Sequence, residues 1–332
     1  MEQGKRNLKL CAILCSALAG ILSVAVSATC TAESYPSKPM RIVCPVPAGG
    51  GLDFVSRTLG EKLAARSGQP VVVDNRPGAS GAIGAAIVAR AAPDGYTLLL
   101  ASSSTIAASP ALQRLSYEAV MKDFAPVSLV SSVSWVLVVH PSVAAKSVGE
   151  LIRLAASQPG RLNYASSGTG SGAHLAMELF KNMANVDLVH IPYKGSGPAA
   201  IDLIGGQVHA GFNNLVPALP HIKSGKLRAL GVSGPARSAA MPAVRTIAES
   251  GLPGYEALQW YGVLLPARAP RAIIDRLHQE IVAILQRPDV RERLTQEGGD
   301  VIGSTPEKFA GHIHKEIAKW TKVVNAANIR AD

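Results

Sequence analysis

The chain has 332 residues, 48% hydrophobic and 17% charged, with a formal net charge of +10. This composition excludes a disordered chain, and the length accommodates two domains of ordinary size. No basic run is dense enough to track phosphates and only 5% of residues are aromatic, which excludes a nucleic-acid binder.

In chain order, Lys5, Arg6 and Lys9 precede an apolar run from Leu10 to Val26 and then small residues. That order is the design of a secretory signal peptide, assigned to residues 1–32, with cleavage after Ala28 or Ala32. The run of about 17 residues falls short of the roughly 20 that span a bilayer. A lipoprotein reading through Cys30 is disfavoured, because Thr29 is bulkier than the residue expected before a lipidated cysteine. Cys11 and Cys15 leave with the signal, so Cys44 has no partner unless Cys30 survives, and no disulfide framework is expected. Residues 1–32 carry +2 of the charge, which leaves +8; residues 143–250 hold ten Lys/Arg against five Asp/Glu. A modest positive field favours anionic ligands by steering.

From Arg41 the chain alternates short β-rich runs with helical patterns, as α/β layers with mainly parallel sheets require. Strands are expected over Arg41 to Val46, Val71 to Asn75 and Thr97 to Ser102. Between them, Asp53 to Arg66 sets Val55, Leu59 and Leu63 on one helical face with Asp53 as N-cap, and Ala79 to Ala92 forms an alanine-rich helix stopped by Pro93-Asp94-Gly95. The pattern then repeats. Ser147 to Glu150 has capping-box spacing and opens a helix ending near Pro159-Gly160. Strand Leu162 to Ala165, helix Ala173 to Met183, strand Asp187 to Pro192, helix Pro198 to Ile204, and strands Ala210 to Asn213 and Arg228 to Val232 follow.

The C-terminal region reads as two amphipathic helices. One carries Ile274, Leu277, Ile281 and Leu285; the other, starting at Thr305 with Pro306 in its first turn, carries Phe309, Ile313, Ile317, Trp320 and Val324. Their apolar faces need a surface, and the first sheet offers it. To return there the chain must cross twice, through the strand-like stretches Ser128 to His140 and Leu258 to Pro266. Two extended crossings make a hinge between lobes. Trp260 and Tyr261 either line the cleft or pack this hinge, with packing favoured.

Two segments share the order strand, glycine-rich turn, helix start: Ile42 to Asp53, containing Ala48-Gly49-Gly50-Gly51-Leu52-Asp53, and Leu162 to Gly172, containing Ser167-Gly168-Thr169-Gly170-Ser171. A helix N-terminus carries unpaired N–H groups and partial positive charge, and glycine lets an anion approach them. Two such loops suggest a clamp with a jaw on each side of an anionic ligand. The rivals are weaker. Gly168 to Ala173 satisfies the G-x-G-x-x-A dinucleotide pattern, but the next strand ends at Pro192-Tyr193-Lys194 where an acidic residue is expected. G-x-S-x-G is absent, so Ser171 and His174, a turn apart, do not make a hydrolase signature. His312 and His314 face different sides of a helix, and no metal site or cofactor is expected.

The matching motifs run in order along nearly the whole mature chain: Tyr35 to Pro39, Gly49 to Asp53, Asn75 to Gly78, Ala92 to Thr97, Lys122 to Val127, Tyr164 to Gly168, Pro192 to Gly195, Gly205 to Val208 and Gly251 to Tyr255. Through them the chain resembles the Bug, or TctC-like, extracytoplasmic solute receptors of tripartite tricarboxylate transporters. The resemblance implies the α/β periplasmic-binding-protein fold of the type II, Venus-flytrap kind, with two lobes joined by two hinge strands. Lobe 1 comprises residues 33–134 and 260–332, and lobe 2 residues 135–259. It also implies a periplasmic, non-enzymatic receptor for a small organic carboxylate, presented to membrane permease subunits or a signalling partner, with a monomer as the simplest expectation. The alternative is an exported α/β enzyme acting on a carboxylated substrate. By position, the resemblance puts the first jaw at Val46, Ala48, Gly50, Gly51, Leu52 and Asp53, the second at Ser167, Gly168, Thr169, Gly170, Ser171 and His174, and walls at Ser102 and Asn213. Family members commonly carry threonine where this chain has Leu52 and aspartate where it has Asn213. Both departures disfavour an amino-acid ligand and favour a plain mono- or dicarboxylate.

Overall fold

In the computed structural model, which describes residues 35–296 and 298–329, regular structure begins with β1 (Met40–Cys44). Its Ile42, Val43 and Cys44 are buried on both faces, as a strand covered by helices on two sides must be. β1 pairs in parallel with β2 (Val71–Asn75) and β3 (Thr97–Ser102). Helix α1 (Gly51–Ser67) joins β1 to β2; it buries Leu52, Val55, Leu59 and Leu63 and stops at Gly68, whose left-handed backbone lets its N–H reach the Ala64 carbonyl. The expected signal peptide lies outside the described residues.

The helix expected over Ala79 to Ala92 is shorter and broken. A 3-10 turn (Ala79–Gly81) precedes α2 (Ala82–Ala89), because Ser80 and Gly81 have positive φ. A side chain at Gly81 would meet Thr105 Oγ1 at 2.5 Å, so a glycine is required there. After β3, the π-helix Ser104–Ala108 runs into α3 (Ser109–Leu112), followed by α4 (Tyr117–Met121).

Strand β4 (Phe124–Val139) is 16 residues long and belongs to both halves of the sheet. It carries the chain into α5 (Val148–Ser157), β5 (Asn163–Ser166), α6 (Gly172–Ala184), β6 (Val189–Pro192), α7 (Ser196–Ile204), β7 (Ala210–Asn214), α8 (Leu215–Lys223) and β8 (Arg228–Val232). Strand β9 (Leu258–Pro266) returns antiparallel to β4, and α9 (Arg271–Leu285), α10 (Pro288–Gln296), β10 (Gly299–Val301) and α11 (Pro306–Ala326) complete the order. The strand path is β2-β1-β3-β9-β4-β7-β5-β6, with β8 and β10 also pairing with β4. β5 is parallel to both β6 and β7. The described residues from Lys38 onward form one compact unit.

Packing follows the side-chain periods. On β4, Leu137 and Val139 enter one buried cluster and Val136 and Val138 another, so both faces of the strand are covered. Helix α9 lies against β4 and α1, while α11 lies against β4, the π-helix and α3, and also reaches α6. Trp260 points away from its neighbour Tyr261 and is fully buried; its Nε1 and that of Trp320 both donate to Glu316 Oε2 at 3.0 Å. No helix among the described residues is long and apolar enough to cross a membrane.

Candidate functional site

The C-terminal ends of the parallel strands of both sheet halves open on a cavity of about 800 Å³. Where a parallel strand hands over to a helix, the helix points its N-terminus at that edge, so ligands gather there. The N-cap residues of five helices line the cavity: Gly50 of α1, Gly81 of α2, Ser171 of α6, Gly195 of α7 and Asn214 of α8. None of the lining residues has a charged side chain. Each macrodipole adds roughly half a positive charge at its N-terminus, so the cavity is electropositive without a cation.

The two glycine loops differ in how many amides they leave open. At α1 the N-cap Gly50 makes no side-chain cap, and geometry leaves the N–H groups of Gly50, Gly51, Leu52 and Asp53 without partners inside the helix. Asp53 does not act as the N-cap expected from the sequence. It is the third helical residue, where its Oδ2 accepts from Gly49 N at 2.9 Å and from Arg57 Nε at 3.0 Å and its Oδ1 accepts from Asn75 Nδ2 at 2.9 Å. Burial opposes its charge, but the bonds from Arg57, Gly49 and Asn75 outweigh that and hold the carboxyl below the usual aspartate range. Its negative charge is therefore engaged beneath the loop. Behind it, burial pushes the Cys44 thiol up, which keeps it protonated.

The second loop spends more amides on itself. Gly168 N donates to Ser166 Oγ at 3.2 Å, Gly170 N to His174 Nδ1 at 3.0 Å, and Ser171 N to the Gly168 carbonyl at 3.1 Å. Ser171 caps α6 by accepting from His174 N at 3.3 Å. Of the first amides of α6, those of Gly172 and Ala173 are left without helical partners. Gly168 and Gly170 both have positive φ, 129° and 73°, the reason the loop takes glycine there.

An aromatic ring closes over the first residue of each helix. A Cβ on Gly51 would lie 2.9 Å from Tyr261 Oη, and one on Gly172 would lie 2.9 Å from Trp135 Cζ2. Both aromatics line the cavity with Leu52, Pro45, Pro47 and Pro77, and the polar lining includes Ser102, Ser104, Thr105 and Gln259. Ser102 Oγ and Thr105 Oγ1 are 3.2 Å apart.

Of the residues expected at the site, Val46, Ala48, Gly50, Gly51, Leu52, Ser102, Ser167, Gly170 and Ser171 lie on the cavity wall. Asp53, Gly168, Thr169, His174 and Asn213 are not among the lining residues. Asn213 faces Val136 in the β4–β7 pairing, and its neighbour Asn214 takes the wall position. His174 is only 4% exposed, and burial first, then His190 and Lys181, depress its imidazole to about 3. Trp135, Gln259, Gly195, Pro77, Gly78, Ser80 and Gly81 are lining residues the sequence did not single out, and Tyr261, expected rather to pack the hinge, lines the cavity while Trp260 does not. The register Ser102↔Tyr261 between β3 and β9 brings Tyr261 in, and no local motif marks it.

The family model described as "Tripartite tricarboxylate transporter family receptor" matches residues 55–329. The chain belongs to this receptor family. Protein BugT of Bordetella pertussis is 40% identical over 305 residues, covering 92% of this chain and 94% of BugT. Among solved structures, this receptor is similar to a protein of R. palustris with adipate (35% identity, TM-score 0.76, 89% of this chain and 99% of that one). It is also similar to MatC from Rhodopseudomonas palustris with bound malate (33% identity, TM-score 0.74, 87% and 100%). The receptor's fold is the α/β periplasmic-binding-protein fold of these proteins. Its relatives are solute-binding receptors.

Proposed function

We propose that this receptor binds a small organic carboxylate in the cavity between the two glycine loops, without chemical turnover, and works in the periplasm. The observation that carries this reading is a cavity faced by several helix N-termini and lined by no charged side chain. An anionic group meets amide donors there, and a cationic amino group finds no carboxylate among the lining residues. Apolar contact with Leu52, Trp135 and Tyr261 suits a ligand with a hydrocarbon body. The adipate and malate of the two solved relatives agree in ligand class.

The energetics suffice. Micromolar affinity is about 8 kcal/mol, and hydrogen bonds to a charged group contribute roughly 1.5 to 3 kcal/mol each. Five or six amide and hydroxyl donors give a gross of roughly 8 to 18 kcal/mol, from which association terms are subtracted. The margin is narrow, so exclusion of water matters. We therefore also propose that residues 33–134 with 260–332, and residues 135–259, act as two lobes that close over the ligand about β4 and β9. The closed form is then presented to the permease of a tripartite tricarboxylate transporter or to a signalling partner.

The test is a thermal-shift screen against mono-, di- and tricarboxylates with mass-spectrometric recovery of the ligand. At a hundredfold excess over Kd a bound ligand adds about 2.7 kcal/mol of stability, several degrees in Tm. Stabilisation with the ligand recovered intact supports the receptor reading, and a chemically altered product overturns it in favour of an exported enzyme.

A further inference from the structure

The second loop rests on a pair of histidines, buried His174 and half-buried His190, that do not line the cavity. The rings of His174, on α6, and His190, on β6, stack with centroids 3.8 Å apart and planes 9° from parallel. Tyr164 of β5 stacks on His190 at 5.0 Å. Each imidazole holds the loop through one hydrogen bond. His174 Nδ1 accepts from Gly170 N, and His190 Nε2 lies 2.6 Å from Ser166 Oγ. Ser166 Oγ also lies 3.1 Å from the Gly168 carbonyl and accepts from Gly168 N, so its hydroxyl hydrogen can serve either that carbonyl or His190 Nε2, and the imidazole can donate in turn. In neutral His174 the proton sits on Nε2, since its Nδ1 accepts from the Gly170 N–H.

We propose that His174 and His190 are positioning residues: through Gly170 and Ser166 they fix the two left-handed glycines and thereby aim the Gly172 and Ala173 amides of α6 at the ligand. This rests on the carboxylate-receptor reading and gives His174 a role without ligand contact. His174 acts in the neutral form, because a second proton would fall on the nitrogen that accepts from Gly170. The charged and titratable groups around the pair are Tyr164 on β5 and Glu178 and Lys181 on α6, with Asp187 beside Lys181. Tyr164 and Lys181 both bond Glu178 Oε1, at 2.5 and 2.8 Å. Burial keeps both imidazoles easy to deprotonate.

Paired variants test this. His174→Asn keeps an acceptor for Gly170 N but loses the ring, whereas His174→Phe keeps a stacked ring but loses the acceptor. His190→Gln and His190→Phe divide the second ring's roles in the same way. Amide hydrogen exchange of Gly168 to Gly172 is read on the purified protein without ligand, and affinity is read with adipate and malate. Positioning predicts at least tenfold faster exchange at Gly170 and at least tenfold weaker binding in His174→Phe, with His174→Asn within threefold of wild type. A purely packing role predicts the reverse order, with the asparagine variant worse. That order, or Phe variants equal to wild type in both readouts, overturns the proposal. Should His174→Phe fail to fold, the His190 pair decides through the Gly168 amide. If wild type binds neither probe, the carboxylate reading fails for them, while the ligand-free exchange data still decide the histidines' role.

Discussion

Gly50 and Gly170 occupy similar places in the sequence of the two loops but differ physically. Gly170 has φ 73°, and a Cβ there would come 2.4 Å from Leu112 Cδ1, so a substitution such as Gly170→Val would strain the fold itself. Gly50 has φ −91° and ψ 171°, open to any residue, with nothing within 4 Å of a Cβ. Gly50→Val should therefore leave the ligand-free Tm nearly unchanged, within about 0.5 kcal/mol, and abolish carboxylate-induced stabilisation. Preserved stabilisation in this variant would remove α1 from the site. Asp53 tests the support beneath the same loop. Because its folded pKa is lowered, its contribution is complete above the unfolded value and disappears as pH falls through the folded one. Asp53→Asn should cost roughly 1 to 3 kcal/mol at neutral pH. In urea titrations the gap to wild type should hold constant down to about pH 5 and narrow below the ordinary aspartate value of about 3.9.

Helix α11 shows how an element legible in sequence acquires an unforeseen task. Thr305 caps it by accepting from Lys308 N at 3.3 Å, Pro306 opens it, and Phe309, Ile313, Ile317 and Trp320 are buried, as their spacing predicts. The same helix carries Glu316, buried at 5% exposure, which receives both indole N–H groups and pairs with Lys319. This ties the helix to β9 on the side opposite Tyr261. The close seat at β9 depends on Gly262, where a Cβ would lie 2.1 Å from Phe309 Cζ. Glu316→Ala should cost roughly 2 to 5 kcal/mol in denaturant unfolding, since it strands two buried indole donors at about 1 to 3 kcal/mol each. Glu316→Gln keeps one acceptor and should lose clearly less. Equal losses in both variants would show that the indoles find other partners.

At the scale of the whole molecule, β4 pairs with strands of both sheet halves, and β9 runs antiparallel beside it. If the proposed lobes close about them, a bound carboxylate should lower the radius of gyration in small-angle scattering, and Gly50→Val should remove that change. A ligand that stabilises without altering the scattering would leave binding intact and end the closure model. The sequence by itself determined the alternation of strands and helices, the capping of α5 and α11, the two glycine loops and the extended stretches within β4 and β9. Each of these depends on neighbours within a few residues, through period, turn chemistry and backbone freedom. Only the tertiary structure decided that Asp53 turns back beneath its loop, that His174 points into the protein, and that Asn214 rather than Asn213 faces the cavity. It alone brought Trp135 and Tyr261 over the first residues of α6 and α1, because strand register and the meeting of distant strand ends fix which side chains share a cavity, and a local pattern carries no record of either.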